Sequence, residues 1–138
     1  MTVELESAYR PSDDEPFMNE RQREYFKNKL LAWKDDILRE SKETLANLQE
    51  ESQNHPDFAD RASSETDRSI ELRARDRQRK LISKINDALE RISDKTYGYC
   101  EETGDPISVR RLEARPIATL SIEAQEAHER REKVYRDD

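Results

Sequence analysis

IELRARDRQRKLISKINDALERI, residues 70–92, contains neither proline nor glycine, and its apolar side chains Ile70, Ala74, Leu81, Ile85, Ala88 and Ile92 recur at helical spacings of three, four and seven. This recurrence keeps them on one face of an α-helix. A stripe so narrow suits a seam against one partner helix rather than a broad surface over a globular core. Upstream, Asn19 and Gln22 form a capping pair for a helix starting near Glu20, and no proline or glycine follows until Pro56. That helix would be about 50 Å long at 1.5 Å per residue. Leu31, Leu38 and Leu45, seven apart, with Leu48 three further on, supply its expected stripe, which Ser41 weakens. Between the two runs lies NHPDFADRASS, residues 54–64, which breaks the pattern. Two long helices joined by a tight connection bury each other's stripes only when antiparallel, so the expectation is a coiled-coil hairpin with its tip near residues 54–62.

Composition agrees. Of 138 residues only 33% are hydrophobic and 41% are charged, too few apolar groups for one globular core but enough for a seam. Disorder is the rival reading, and mixed charge signs with periodic apolar residues argue against it. The net charge of -7 disfavours a protein that coats duplex nucleic acid, because releasing counterions from phosphates needs a basic face. A single cysteine rules out an intramolecular disulfide framework, and no apolar run approaches a membrane span. The acidic N-terminus lacks the order of a secretory signal, so a cytoplasmic, membrane-free protein is expected.

Downstream, YGYCEETGDPISVRRLEARPIATLSIEA, residues 97–124, holds both glycines of the chain, Gly98 and Gly104. With Pro106 they predict two short strands, near 97–100 and 106–109, joined by a turn. A final amphipathic helix is expected from Ile122 to Val134. Tyr97, Tyr99, Ile107, Val109, Leu112, Ile117, Leu120 and Ile122 form the expected core of this small head. The domains are then 1–30, a partly mobile N-terminal segment packing on the head; 31–93, the coiled-coil hairpin; and 94–138, the zinc-finger-like head with its C-terminal helix. The fold class is mainly α.

The same stretch carries the frame of a four-cysteine zinc site, C-x2-C-x17-C-x2-C, at positions 100, 103, 121 and 124. Those positions hold Cys100, Thr103, Ser121 and Ala124. A structural zinc needs about four thiolate, imidazole or carboxylate ligands. Thr103 and Ala124 cannot serve, His55 lies at the expected tip, and His128 with Cys100 would be an incomplete pair, so no metal is expected. Thr103 and Ser121 can instead form local hydrogen bonds, Ser121 as N-cap of the last helix. Cys100 reads as a small buried hydrophobe, not a nucleophile.

PDFADRAS, ELRARDRQRKLISKI, YGYCEETG and SVRRLEARP, in that order, resemble the bacterial DksA/TraR family over residues 17–136. The resemblance implies a non-enzymatic, monomeric transcription factor that binds bacterial RNA polymerase, inserting its coiled coil into the secondary channel without reading DNA sequence. With the alarmone ppGpp it would inhibit ribosomal RNA promoters and activate amino-acid biosynthesis promoters. It implies that Asp57, Asp60 and Ala62 approach the polymerase active-site region, and that Arg77 contacts the channel rim. It assigns ppGpp binding at the polymerase interface to Leu81, Lys84, Arg111 and Arg115, with Gln125 where a lysine is expected. Asp57 and Asp60 also suit a helix N-terminus, and the run Arg73, Arg75, Arg77, Arg79, Lys80 also suits a solvated face. Rival functions are a Gre-like transcript-cleavage cofactor and a structural coiled-coil adaptor.

Overall fold

The computed structural model describes residue 5 and residues 8–54 and 58–137; side chains are described except at 44, 48, 49, 51–54, 58–64 and 135–137. Among the described residues four helices follow in order: α1 (Glu20–Asn54), α2 (Phe58–Asp94), α3 (Val109–Ala114) and α4 (Ile122–Asp137). The described residues divide into two units. One, the finger unit, joins residues 1–30 to 87–138, and the other, the hairpin unit, is residues 31–86.

In the hairpin unit, α1 and α2 lie side by side. Ser41 donates its hydroxyl to Gln78 Oε1 at 2.8 Å, and the Gln78 amide reaches Glu40 at 3.4 Å. Helices that touch at 41 and 78 and are separated by three residues at 54 and 58 run antiparallel, as the sequence predicts. The seam, however, is not the expected leucine stripe. Leu31, Leu38 and Leu45 are 44%, 42% and 41% exposed, whereas Ile37 is 4% exposed. Buried positions on α1 run Gln22, Phe26, Leu30 and Ile37, spacings of four, four and seven that lead to Ser41. The true stripe lies one residue N-terminal of the leucine heptad, and the serine belongs to it as a hydrogen-bonding member. On α2, Ile85, Ala88 and Ile92 are buried as expected, but Ile70 is exposed.

The finger unit starts with a turn tied to α1. Asn19 Oδ1 accepts from Gln22 N at 2.8 Å, while Gln22 Oε1 accepts from Met18 N at 2.8 Å, a reciprocal cap of the predicted kind. Gln22 is fully buried and also donates from Nε2 to Ser12 O at 3.1 Å, so one side chain fastens the lead-in to the helix. Glu15 accepts from Tyr9 Oη at 3.0 Å and from Ser12 N at 3.2 Å. Burial acts to raise the Glu15 carboxyl, but these bonds outweigh it and hold the group below its usual range.

Helix α2 is followed by Lys95, which takes a left-handed φ of 64°, letting Thr96 N reach back to Arg91 O at 2.8 Å. Tyr97 is buried against Phe26, with ring centroids 5.6 Å apart, and its hydroxyl donates to Pro116 O at 2.7 Å. Gly98 has φ 94°, and an added Cβ would stand 3.0 Å from Phe17 Cζ. Any other residue there would be strained by the φ and would crowd Phe17 and Met18.

The predicted pair of strands is corrected. Among the described residues there is no strand, only an isolated antiparallel bridge from Tyr99 to Pro106. Proline lacks an N–H to extend the ladder. Ser108 then caps α3, its hydroxyl accepting from Arg111 N at 3.2 Å, so residues 109–114 coil where a strand end was expected. Of the expected core, Tyr97, Ile107, Val109 and Leu112 are buried, Ile117 and Leu120 are half-buried, and Tyr99 and Ile122 are exposed. Cys100, Ala118 and Ala124 complete the core instead.

Candidate functional site

The finger frame is closed by hydrogen bonds. Cys100 N donates to Asp105 O and Gly104 N returns to Cys100 O, each at 2.8 Å, so residues 100–105 make a tight turn. Glu101 N donates to Thr119 O at 2.9 Å and ties this turn to the segment before α4. Thr103 Oγ1 accepts from Asp105 N at 3.2 Å, and Ser121 caps α4 by accepting from Ala124 N at 3.2 Å. The Cys100 thiol is buried at the centre. Its desolvation acts to raise its pKa, but the Thr103 hydroxyl and the backbone N–H groups of Ser121, Thr103 and Glu102 overcome it and bring the pKa from 9.0 down to about 6. Thr103 and the amides that favour the ionised sulfur come from both halves of the frame. Glu102 was not among the sequence candidates, because its contribution is a main-chain amide.

The residues assigned by resemblance fall in both units. Asp57 lies outside the described residues. Asp60 and Ala62 lie in the first turns of α2, with side chains outside the described set. Arg77 is exposed in the hairpin unit, beside a groove lined by Ile70, Leu72, Arg73 and Asp76. Asp76 pairs with Lys80 at 3.2 Å, and Arg73, Arg77 and Arg79 have no ion partner among the described residues. The α2 basic run is thus mostly uncompensated. Leu81, half-buried, and Lys84, exposed, lie one turn apart on α2 in the same unit. Arg111 and Arg115 belong to the finger unit, four apart at α3. Arg111 Nε is already bonded to Leu120 O at 2.9 Å, and Arg115 is exposed. Gln125 Nε2 donates to Glu129 at 3.1 Å on α4.

A residue the sequence reading missed is Glu113. It is half-buried, accepts from the Tyr25 hydroxyl, and pairs with Lys29 Nζ at 3.2 Å, joining α3 to α1. Burial, and then the carboxylate itself, push the Tyr25 phenol up to about 12.

Comparisons with known proteins follow the same division of the chain. The family described as DnaK suppressor protein DksA, N-terminal domain, matches residues 22–92, and the prokaryotic DksA/TraR C4-type zinc finger matches residues 95–130. The chain is 73% identical over 132 residues to a Caulobacter vibrioides protein named RNA polymerase-binding transcription factor DksA, spanning 96% of this chain and 93% of that one. It is 45% identical over 125 residues to the protein of the same name in Escherichia coli K12, spanning 91% and 83%. The solved structure of transcription factor DksA2 from Pseudomonas aeruginosa superposes with a TM-score of 0.80 at 41% identity, over 85% of this chain and 90% of that one. A two-helix hairpin unit and a finger-framed unit are the parts that define this class. The chain belongs to the DksA family. The C4-type zinc expected of its finger does not fit the residues present, since one thiolate, two hydroxyls and a methyl group are not a zinc ligand set. Among the described residues there is no cluster of three or more His, Cys, Asp or Glu side chains able to hold a metal ion.

Proposed function

We propose that this chain is a non-enzymatic transcription factor that binds bacterial RNA polymerase, inserts its hairpin into the secondary channel, and with ppGpp regulates initiation without reading DNA sequence. The observation that supports this reading is the 73% identity, over nearly the whole chain, to a relative named an RNA polymerase-binding transcription factor. In this reading the exposed Arg77 contacts the channel rim, where a guanidinium suits a carboxylate. Asp57, Asp60 and Ala62 act near the polymerase active site. Leu81, Lys84, Arg111 and Arg115 take part in the ppGpp response. The factor works as a monomer in the bacterial cytoplasm and needs no zinc. Gln125 replaces a cation with a neutral amide, so the ppGpp response should be weaker than with lysine there.

Transcription with purified polymerase, comparing a ribosomal RNA promoter with an amino-acid biosynthesis promoter, with and without ppGpp, tests the reading. The chain should inhibit the first and activate the second, and substituting Asp57 and Asp60 should abolish regulation with binding preserved. Identical promoter output with and without the chain would overturn it.

A further inference from the structure

In the finger unit a surface cleft of about 360 Å³ lies between the lead-in and α3, lined by Arg10, Ser12, Asp13, Arg110 and Glu113 among others. Its walls are fixed in advance. The Ser12 carbonyl is tied to buried Gln22 and the Ser12 amide to Glu15, while Glu113 is held by Tyr25 and Lys29. The two guanidiniums are not used in this way. Arg110 is exposed and has no hydrogen-bond or ion partner among the described residues, and Arg10 spends one donor, Nη1, on the carbonyl of Tyr9 at 2.9 Å.

We infer that this cleft is a docking site for an acidic segment of the protein partner, whose carboxylate is received between Arg10 and Arg110. This inference rests on the proposed binding to RNA polymerase and adds a second contact to it. Guanidinium groups suit planar carboxylates, and preset walls reduce the ordering cost of binding. The acids of the cleft favour a carboxylate over a multiply charged phosphate. Glu113 is engaged by Lys29, but Asp13 is exposed at the rim and would repel a dianion more than a monoanion. The net charge of -7 on the whole chain does not prevent such docking, because charges more than about 8 Å away are largely screened at physiological salt.

The test measures affinity of the full chain for core polymerase, for the wild type and for Arg110→Gln, Arg10→Glu/Arg110→Glu and Arg10→Lys/Arg110→Lys, with Arg77→Ala alongside. Melting temperature and circular dichroism monitor folding, and Arg110→Gln serves if the double reversal does not fold. The double reversal should weaken binding at least tenfold, the lysine pair should lose less, and the loss should shrink as salt is raised. Unchanged affinity in the reversed or Arg110→Gln chain, while Arg77→Ala binds weakly, overturns this inference and leaves the proposed function standing. No binding by the wild type overturns that function itself. Inorganic phosphate is the second probe: binding that competes with polymerase and disappears on Arg110→Gln would make the cleft a phosphate site and also overturn the inference.

Discussion

At the scale of single residues, Cys100 sets how stability follows pH. Its folded pKa of about 6 lies below its ordinary value of 9.0, so the unfolded chain binds the proton more tightly. The thiolate's contribution is complete above about pH 9 and is lost as pH falls through about 6. Melting temperature should therefore rise from pH 6 to pH 8.5, and Cys100→Ser, which cannot ionise, should flatten that rise. An equally steep profile in the serine variant would show that the donors do not act on the sulfur. Gln22 and Gly98 are structural counterparts. Removing the Gln22 side chain leaves Met18 N–H without its partner and takes from Ser12 C=O the shorter of its two bonds, and Gln22→Ala should cost about 2 kcal/mol in denaturant unfolding. Gly98→Ala meets both a positive φ and Phe17, and should cost about 1–3 kcal/mol. The cap was legible because Asn19 and Gln22 are a short-range pattern. The surroundings of Cys100 were only partly legible: the Thr103 hydroxyl at a ligand position was visible, but the amides of Ser121, Thr103 and Glu102 are of a kind present at nearly every residue and acquire meaning only from the turn.

At the scale of elements, the helices and the buried face at the end of α2 were readable, and the contact face of α1 was not. Long stretches without proline or glycine delimit α1 and α2 closely, because helix breakers act locally. The phase of the seam depends on the partner, and Leu31, Leu38 and Leu45 formed a more regular apolar repeat than the stripe ending in Ile37 and Ser41. Polar Ser41 was discounted although Gln78 across the seam satisfies it. Truncation distinguishes the two stripes. Ile37→Ala should cost about 2–4 kcal/mol and Leu38→Ala less than about 1 kcal/mol, measured by denaturant unfolding. Equal losses would restore the leucine stripe as the seam. The missed α3 has a similar cause: Ser108 with Val109 and Leu112 is a capped helical turn, but Pro106 and the preceding glycine gave a stronger hairpin signal than six residues of helix could oppose.

At the scale of the whole molecule, family membership was legible because motifs in both units stand in a fixed order, and order is independent of how the units are arranged. Metal independence should be measurable. Chelator at millimolar concentration should leave the melting temperature unchanged, whereas a finger folded around zinc would lose stability with its metal. Elemental analysis finding one zinc per chain would refute this. The division of the chain has another consequence, for the order of events in time. The finger unit joins residues 1–30 to 87–138, with Glu113 bonded to Tyr25 and Lys29 across 88 and 84 positions of sequence. During synthesis Tyr25 and Lys29 of α1 emerge early and must wait for α3 before Glu113 exists. The hairpin has its connection in hand much earlier, and its formation shortens the loop that the finger unit must close. Folding should therefore proceed from the middle of the chain outward to its two ends, and a ribosome stalled before α3 would carry a formed hairpin with an unclosed finger unit.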